Sequence, residues 1–94
     1  MNLAVEVAGI RFKNPLIAAS GTFGYGVEYE GVLDLSVLGG IVSKGLYMEA
    51  RDGAPTPRIV ETPSGLLNAI GLQGVGVRAF VQDVLPRLAK HDVA

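Results

Sequence analysis

Two short apolar runs, each closed by a polar residue and a glycine, limit the folds open to this chain more than any other feature. Leu16-Ile17-Ala18-Ala19 leads into Ser20-Gly21, and Leu38-Gly39-Gly40-Ile41-Val42 leads into Ser43-Lys44-Gly45. Neither run alternates apolar with polar residues, so neither suits a sheet with one wet face. Continuous runs suit parallel strands covered on both sides. Parallel strands need a crossover between them, usually a helix. Val27 to Leu35 reads as that helix, although Gly31 weakens it. The expected class is α/β, built on a βαβ unit.

The flanking segments extend this pattern. Leu3, Val5 and Val7 alternate with Ala4 and Glu6, and Gly9 separates them from Ile10-Arg11-Phe12-Lys13. That predicts an N-terminal β-hairpin. Residues 46–74 lack strong periodicity and contain Pro55, Pro57 and Pro63. Loops this long are usually functional. Within it, Arg58–Glu61 and Leu66–Ala69 are suited to pair as a small hairpin. Phe80, Val81, Val84, Leu85 and Leu88 then recur at helical spacing, with Arg87, Lys90 and His91 placed to suit the helix dipole. Pro86 is expected to kink that helix or end it early.

Two parallel strands cannot close a barrel, and a (β/α)8 barrel takes about 250 residues. Residues 1–94 therefore read as the N-terminal portion of a TIM barrel with an N-terminal β-hairpin, stopping before the third barrel strand. The alternative is a complete small α+β domain, which would leave these apolar strands exposed.

Composition removes several kinds of chemistry. With no cysteine, these residues hold no disulfide, thiolate metal site or cysteine nucleophile. His91 is the single histidine, and no His/Asp/Glu cluster has metal-ligand spacing. A net charge of −1 gives no footprint for nucleic acid or an anionic membrane. No secretory signal or stretch of ~20 apolar residues is apparent, so a cytoplasmic location is expected. The 13 glycines are about twice the usual ~7% share and cluster at the ends of apolar runs. Such positions suit tight turns or close backbone approach to a ligand.

In parallel α/β folds, ligands gather at the carboxyl ends of the strands. Ser20-Gly21-Thr22, Ser43-Lys44-Gly45 and part of the long loop should meet there. Lys44 is either a solvated strand-end lysine or a fixed charge that holds an anion. Ser20-Gly21-Thr22 is either a turn or a place where backbone N–H groups and a hydroxyl approach a ligand. It fits no P-loop, and Gly24-Tyr25-Gly26 lacks the third glycine of a dinucleotide fingerprint. In Asn68-Ala69-Ile70-Gly71-Leu72-Gln73, the asparagine either caps its own loop or meets a heterocycle with both a donor and an acceptor.

Taken together, these pieces are more specific. Asn14 to Gly26, the Lys44-Gly45 pair, Pro55 to Gly65 and Asn68-Ala69-Ile70-Gly71-Leu72-Gln73 follow one another in an order that resembles the N-terminal part of class 1 dihydroorotate dehydrogenases. The resemblance covers essentially the whole chain. The Asn-Ala-Ile-Gly-Leu-Gln form is similar to the NAD-linked class 1B catalytic subunit, whereas class 1A enzymes typically carry Asn-Ser-Met-Gly-Leu-Pro. One departure is Gly74, where class 1B commonly has a further asparagine.

The resemblance implies an FMN-binding barrel that oxidises dihydroorotate to orotate in pyrimidine biosynthesis. It implies that Ser20, Lys44 and Gly45 contact FMN. Lys44, Asn68, Ala69, Ile70, Gly71 and Leu72 are implied to contact substrate. The catalytic base of class 1 enzymes is a cysteine on a later loop, so no catalytic base is expected within residues 1–94, and activity of these residues alone is not expected. The implied partner is an electron-transfer subunit carrying FAD and a 2Fe–2S cluster, in a heterotetramer. A dihydropyrimidine dehydrogenase-type FMN barrel and an inactive truncated product are the competing readings.

Overall fold

The computed structural model describes all 94 residues. Strand β1 (Val5–Val7) pairs antiparallel with β2 (Ile10–Phe12), Val5 opposite Phe12 and Val7 opposite Ile10. The two connecting residues, Ala8 and Gly9, both have positive φ (51° and 80°). Two-residue hairpin turns of the right twist need that conformation, so the N-terminal hairpin forms as its pattern predicts.

Strand β3 (Ile17–Ala18) pairs in parallel with β4 (Gly40–Ile41). The Gly39 N–H donates to the Leu16 carbonyl at 2.8 Å, and the Val42 N–H to the Ala18 carbonyl at 2.9 Å. A Cβ at Gly39 would lie 1.9 Å from the Asn14 carbonyl oxygen, so only glycine permits this approach. The other edge of β4 is also engaged. The Ala94 N–H donates to the Gly39 carbonyl at 3.2 Å, and the Ile41 N–H to the Ala94 carbonyl at 2.8 Å. Those two bonds flank Gly40 in the pattern of a parallel bridge.

The crossover corrects the expectation of a helix over Val27–Leu35. Two 3-10 turns form instead, Val27–Tyr29 and Leu35–Val37. Gly31 withholds helix propensity from the middle of the segment. The Asp34 carboxylate accepts the Ser36 N–H at 2.9 Å, which starts a second turn where the first would have continued. A segment this short gains too few hydrogen bonds to outweigh nucleation.

The long loop holds the small hairpin, shifted slightly from its expected bounds: β5 (Ile59–Thr62) and β6 (Gly65–Asn68), with Ile59 opposite Asn68. A bond from the Ala69 N–H to the Arg58 carbonyl at 2.7 Å extends the ladder by one step. Ile59, Val60, Leu66 and Leu67 are each more than half exposed.

Residues 77–88 form one helical run, α-helical at Val77–Ala79, π-helical at Phe80–Val84 and α-helical again at Leu85–Leu88. Pro86 does not end it. Proline removes one donor and crowds the carbonyl four residues back. The Leu85 N–H bonds to the Phe80 carbonyl, five residues back, so the helix widens into a π turn just before the ring.

Tyr25, Val27 and Phe80 form the buried cluster, with Val84 and Leu88 packed against it, and Leu35 of the crossover is fully buried. Glu30 joins the crossover to the helix end. Its carboxylate accepts from Arg87 Nε at 3.1 Å, pairs with Arg87 Nη2, and meets His91 Nε2 at 3.1 Å. The radius of gyration is 15.5 Å, against about 12.4 Å for a compact domain of this length. The chain is therefore open, and Leu16, Ile17 and Val42 of its apolar runs are exposed instead of covered. No helix is long and apolar enough to cross a membrane.

Candidate functional site

Ser20 and Lys44 lie just past β3 and β4, at the carboxyl ends of the parallel pair. The Ser20 hydroxyl donates to the Ser43 carbonyl at 2.9 Å, which joins the two strand ends. The Lys44 N–H donates to the Gly24 carbonyl at 3.2 Å, so the glycine-rich loop after β3 fixes the backbone that carries the lysine. Lys44 itself is half-buried. It lines a cleft of about 420 Å³ with Tyr25, Glu28, Arg51, Asp52 and Gln73 among its other walls. Two cations and two carboxylates share this space, so it is polar without a dominant sign. A somewhat larger cleft of about 490 Å³ lies between the N-terminal hairpin and residues 92–94, and none of the candidate residues lines it.

The second group of candidates follows β6. Asn68 is exposed, and its carboxamide makes no hydrogen bond within the chain. Its loop is nevertheless held tightly. Ala69 is tied to Arg58, and the Ile70 carbonyl accepts from the Ala54 N–H at 2.9 Å. Gly71 has φ 76°, and a Cβ there would lie 2.3 Å from the Ala54 nitrogen. Leu72 also has positive φ (57°), which is rare for a branched side chain and marks local strain. Gly74 then exchanges two backbone bonds with Arg51, at 2.8 and 3.0 Å.

The structure thus gathers Ser20, Ser43, Lys44 and Gly24 at one point and holds Asn68 to Leu72 as a separate unit. Residues 68–72 do not line the Lys44 cleft; the contact between the two groups runs through Gln73, Gly74 and Val75.

Two residues that organise this region escaped the sequence reading. Arg58 donates from Nε to the Ala54 carbonyl (2.6 Å), from Nη1 to Gln73 Oε1 (2.6 Å) and from Nη2 to the Asp52 carbonyl (2.8 Å). Its one signal was a lone charge in the uncharged stretch from Gly53 to Val60. Tyr25 is buried, and its hydroxyl accepts the Val75 N–H at 3.2 Å. An aromatic residue flanked by two glycines was the signal there. Away from the cleft, the guanidinium of Arg87 first, and the hydrogen bond from His91 second, hold the Glu30 carboxyl below its ordinary pKa.

The sequence model for dihydroorotate dehydrogenase matches residues 2–94. The chain belongs to the dihydroorotate dehydrogenase family. Among curated dihydroorotate dehydrogenases, the B (NAD(+)) catalytic subunit of Geotalea uraniireducens is 60% identical over 87 residues, covering 93% of this chain and 28% of that protein. The corresponding subunit of Thermoanaerobacter sp. is 54% identical over all 94 residues, covering 31% of its own length. The chain therefore spans under a third of the relatives it matches. A crystal structure of the dihydroorotate dehydrogenase of Eimeria tenella in complex with ferulenol matches 95% of this chain and 23% of that one, with a TM-score of 0.65 and 23% identity. At that identity the likeness concerns the fold alone: the open arrangement of short sheets and a terminal helix is that of part of a dihydroorotate dehydrogenase.

Proposed function

We propose that this chain supplies the flavin- and substrate-facing start of a (β/α)8 dihydroorotate dehydrogenase barrel of the NAD-linked B class. The observation that carries the reading is the placement of Ser20 and half-buried Lys44 together at the carboxyl ends of the one parallel strand pair. That is where parallel α/β enzymes bind their ligands. The class assignment rests on the names of the two relatives above and on the Asn68-Ala69-Ile70-Gly71-Leu72-Gln73 loop.

The backbone at this point suits a planar cofactor. The N–H groups of Gly21 and Gly45 make no hydrogen bond within the chain, and open space lies where a Cβ would project from either residue. Ser20, Lys44 and Gly45 would hold FMN. Bound FMN supplies the hydride acceptor for oxidation of dihydroorotate to orotate. Lys44 contributes a fixed positive charge, which attracts an anionic substrate and stabilises negative charge that develops on reduction. The free carboxamide of Asn68 offers both a donor and an acceptor to a pyrimidine ring. Ala69, Ile70, Gly71 and Leu72 shape the wall beside it. No side chain in residues 1–94 is assigned as the base. In the assembled enzyme, electrons leave through a separate subunit carrying FAD and a 2Fe–2S cluster, and the location is cytoplasmic.

A hybrid enzyme tests this reading. Residues of this chain replace the segment they match in the Geotalea uraniireducens catalytic subunit, and the purified protein is mixed anaerobically with dihydroorotate. The expected result is stoichiometric flavin that dihydroorotate bleaches. A folded hybrid without flavin, or with flavin that dihydroorotate leaves oxidised, contradicts the proposal.

A further inference from the structure

We propose that Tyr25 is a positioning residue for substrate binding, its hydroxyl holding the exit of the 68–75 loop against the strand-end loop that fixes Lys44. The inference rests on the reading above that Asn68 to Leu72 face substrate.

The Tyr25 side chain has little freedom. Its ring is buried and tilted against Phe80, with centroids 5.6 Å apart. Its backbone N–H is held by both oxygens of the Glu28 carboxylate, at 3.1 and 3.2 Å. From that fixed base the hydroxyl accepts the Val75 N–H at 3.2 Å, 50 residues along the chain. The preceding residue, Gly24, accepts the Lys44 N–H. Tyr25 therefore sits one residue from the group that sets Lys44 and bonds directly to the residue three past Leu72.

Gly74 completes the arrangement. A Cβ at that position would lie 3.1 Å from the Tyr25 hydroxyl oxygen, so a side chain there presses on the same link. Packing against Phe80 needs only the ring, and phenylalanine would serve it equally. The hydroxyl adds the connection between the strand-end loop that fixes Lys44 and the Gln73–Val75 segment that follows the Asn68–Leu72 loop.

The hybrid enzyme carrying Tyr25→Phe separates positioning from mere packing. Expected are unchanged flavin content, a thermal midpoint lower by about 2 °C at most, and a flavin reduction rate at saturating dihydroorotate that is little altered. The orotate dissociation constant, read from the flavin spectrum, rises about fivefold, as loss of one neutral hydrogen bond predicts. Gly74→Ala weakens orotate in the Tyr25 background but adds nothing once the hydroxyl is gone. An unchanged orotate constant in Tyr25→Phe overturns the inference. So does a rise accompanied by flavin loss and a large fall in thermal midpoint, which makes the residue structural only. If the unsubstituted hybrid itself binds flavin but not orotate, the reading of the site falls and this inference falls with it.

Discussion

Arg58 Nη1 donates to Gln73 Oε1 at 2.6 Å, closing a loop of the chain over the residues that follow β6. The same guanidinium reaches the carbonyls of Ala54 and Asp52. One planar group thereby ties Gln73, which follows the Asn68–Leu72 loop, to the 52–54 segment, whose Ala54 N–H holds the Ile70 carbonyl of that loop. Lysine has the charge but lacks the fork that reaches three acceptors at fixed angles. Arg58→Lys in the hybrid enzyme should raise the orotate dissociation constant about 25-fold through loss of two such bonds, with flavin content retained. Titration of the flavin spectrum with orotate measures it, and an unchanged constant contradicts the role given to Arg58.

The Glu30 cluster yields a pH dependence. Arg87 and His91 hold the Glu30 carboxyl below its ordinary value of 4.5 in the folded chain. A carboxylate with a depressed folded pKa stabilises the fold above its unfolded pKa, and that contribution disappears as pH falls through the folded value. The difference in urea midpoint between the unsubstituted hybrid and Glu30→Gln should be full near neutral pH. It should shrink below about pH 4.5 and vanish in stronger acid. A difference that grows on acidification has the wrong sign for this account.

Leu35 is the one fully buried large side chain. It belongs to the 3-10 turn at Leu35–Val37, not to the helix its sequence suggests. Leu35→Ala should destabilise by about 2–3 kcal/mol through lost transfer energy and an unfilled cavity. Urea unfolding of the hybrid checks this. Val32→Ala, at a residue 86% exposed in the same crossover, should cost under about 0.5 kcal/mol.

Much of this was legible in the sequence because it is periodic or local. Alternation around Gly9 marked the first hairpin, and the continuous runs before Ser20 and Ser43 marked the parallel pair. The spacing of Phe80, Val84 and Leu88 marked the helix. The crossover was misread because apolar residues between Val27 and Leu35 imitate a helical face, while Gly31 and the cap from Asp34 break it into turns. At Pro86 the sequence predicts a kink or an early end, yet the helix continues through it. A π turn just before the ring accommodates it, which sequence spacing does not show. Within the site, Ser20 and Lys44 could be placed from strand ends alone. The roles of Arg58 and Tyr25 could not, since Arg58 reaches a residue 15 positions away and Tyr25 one 50 positions away, each through a single side chain.

The central claim is that Lys44, fixed at the end of β4 by Gly24 and facing the polar cleft, supplies charge to the reaction instead of merely meeting solvent. Single-turnover reduction of the hybrid enzyme by dihydroorotate, with and without Lys44→Ala, measures this most directly. Loss of a preorganised charge of this kind predicts flavin reduction slowed by about a hundredfold or more, with the protein still folded. An unchanged rate of flavin reduction in Lys44→Ala would contradict the account and leave Lys44 a solvated lysine at the end of a strand.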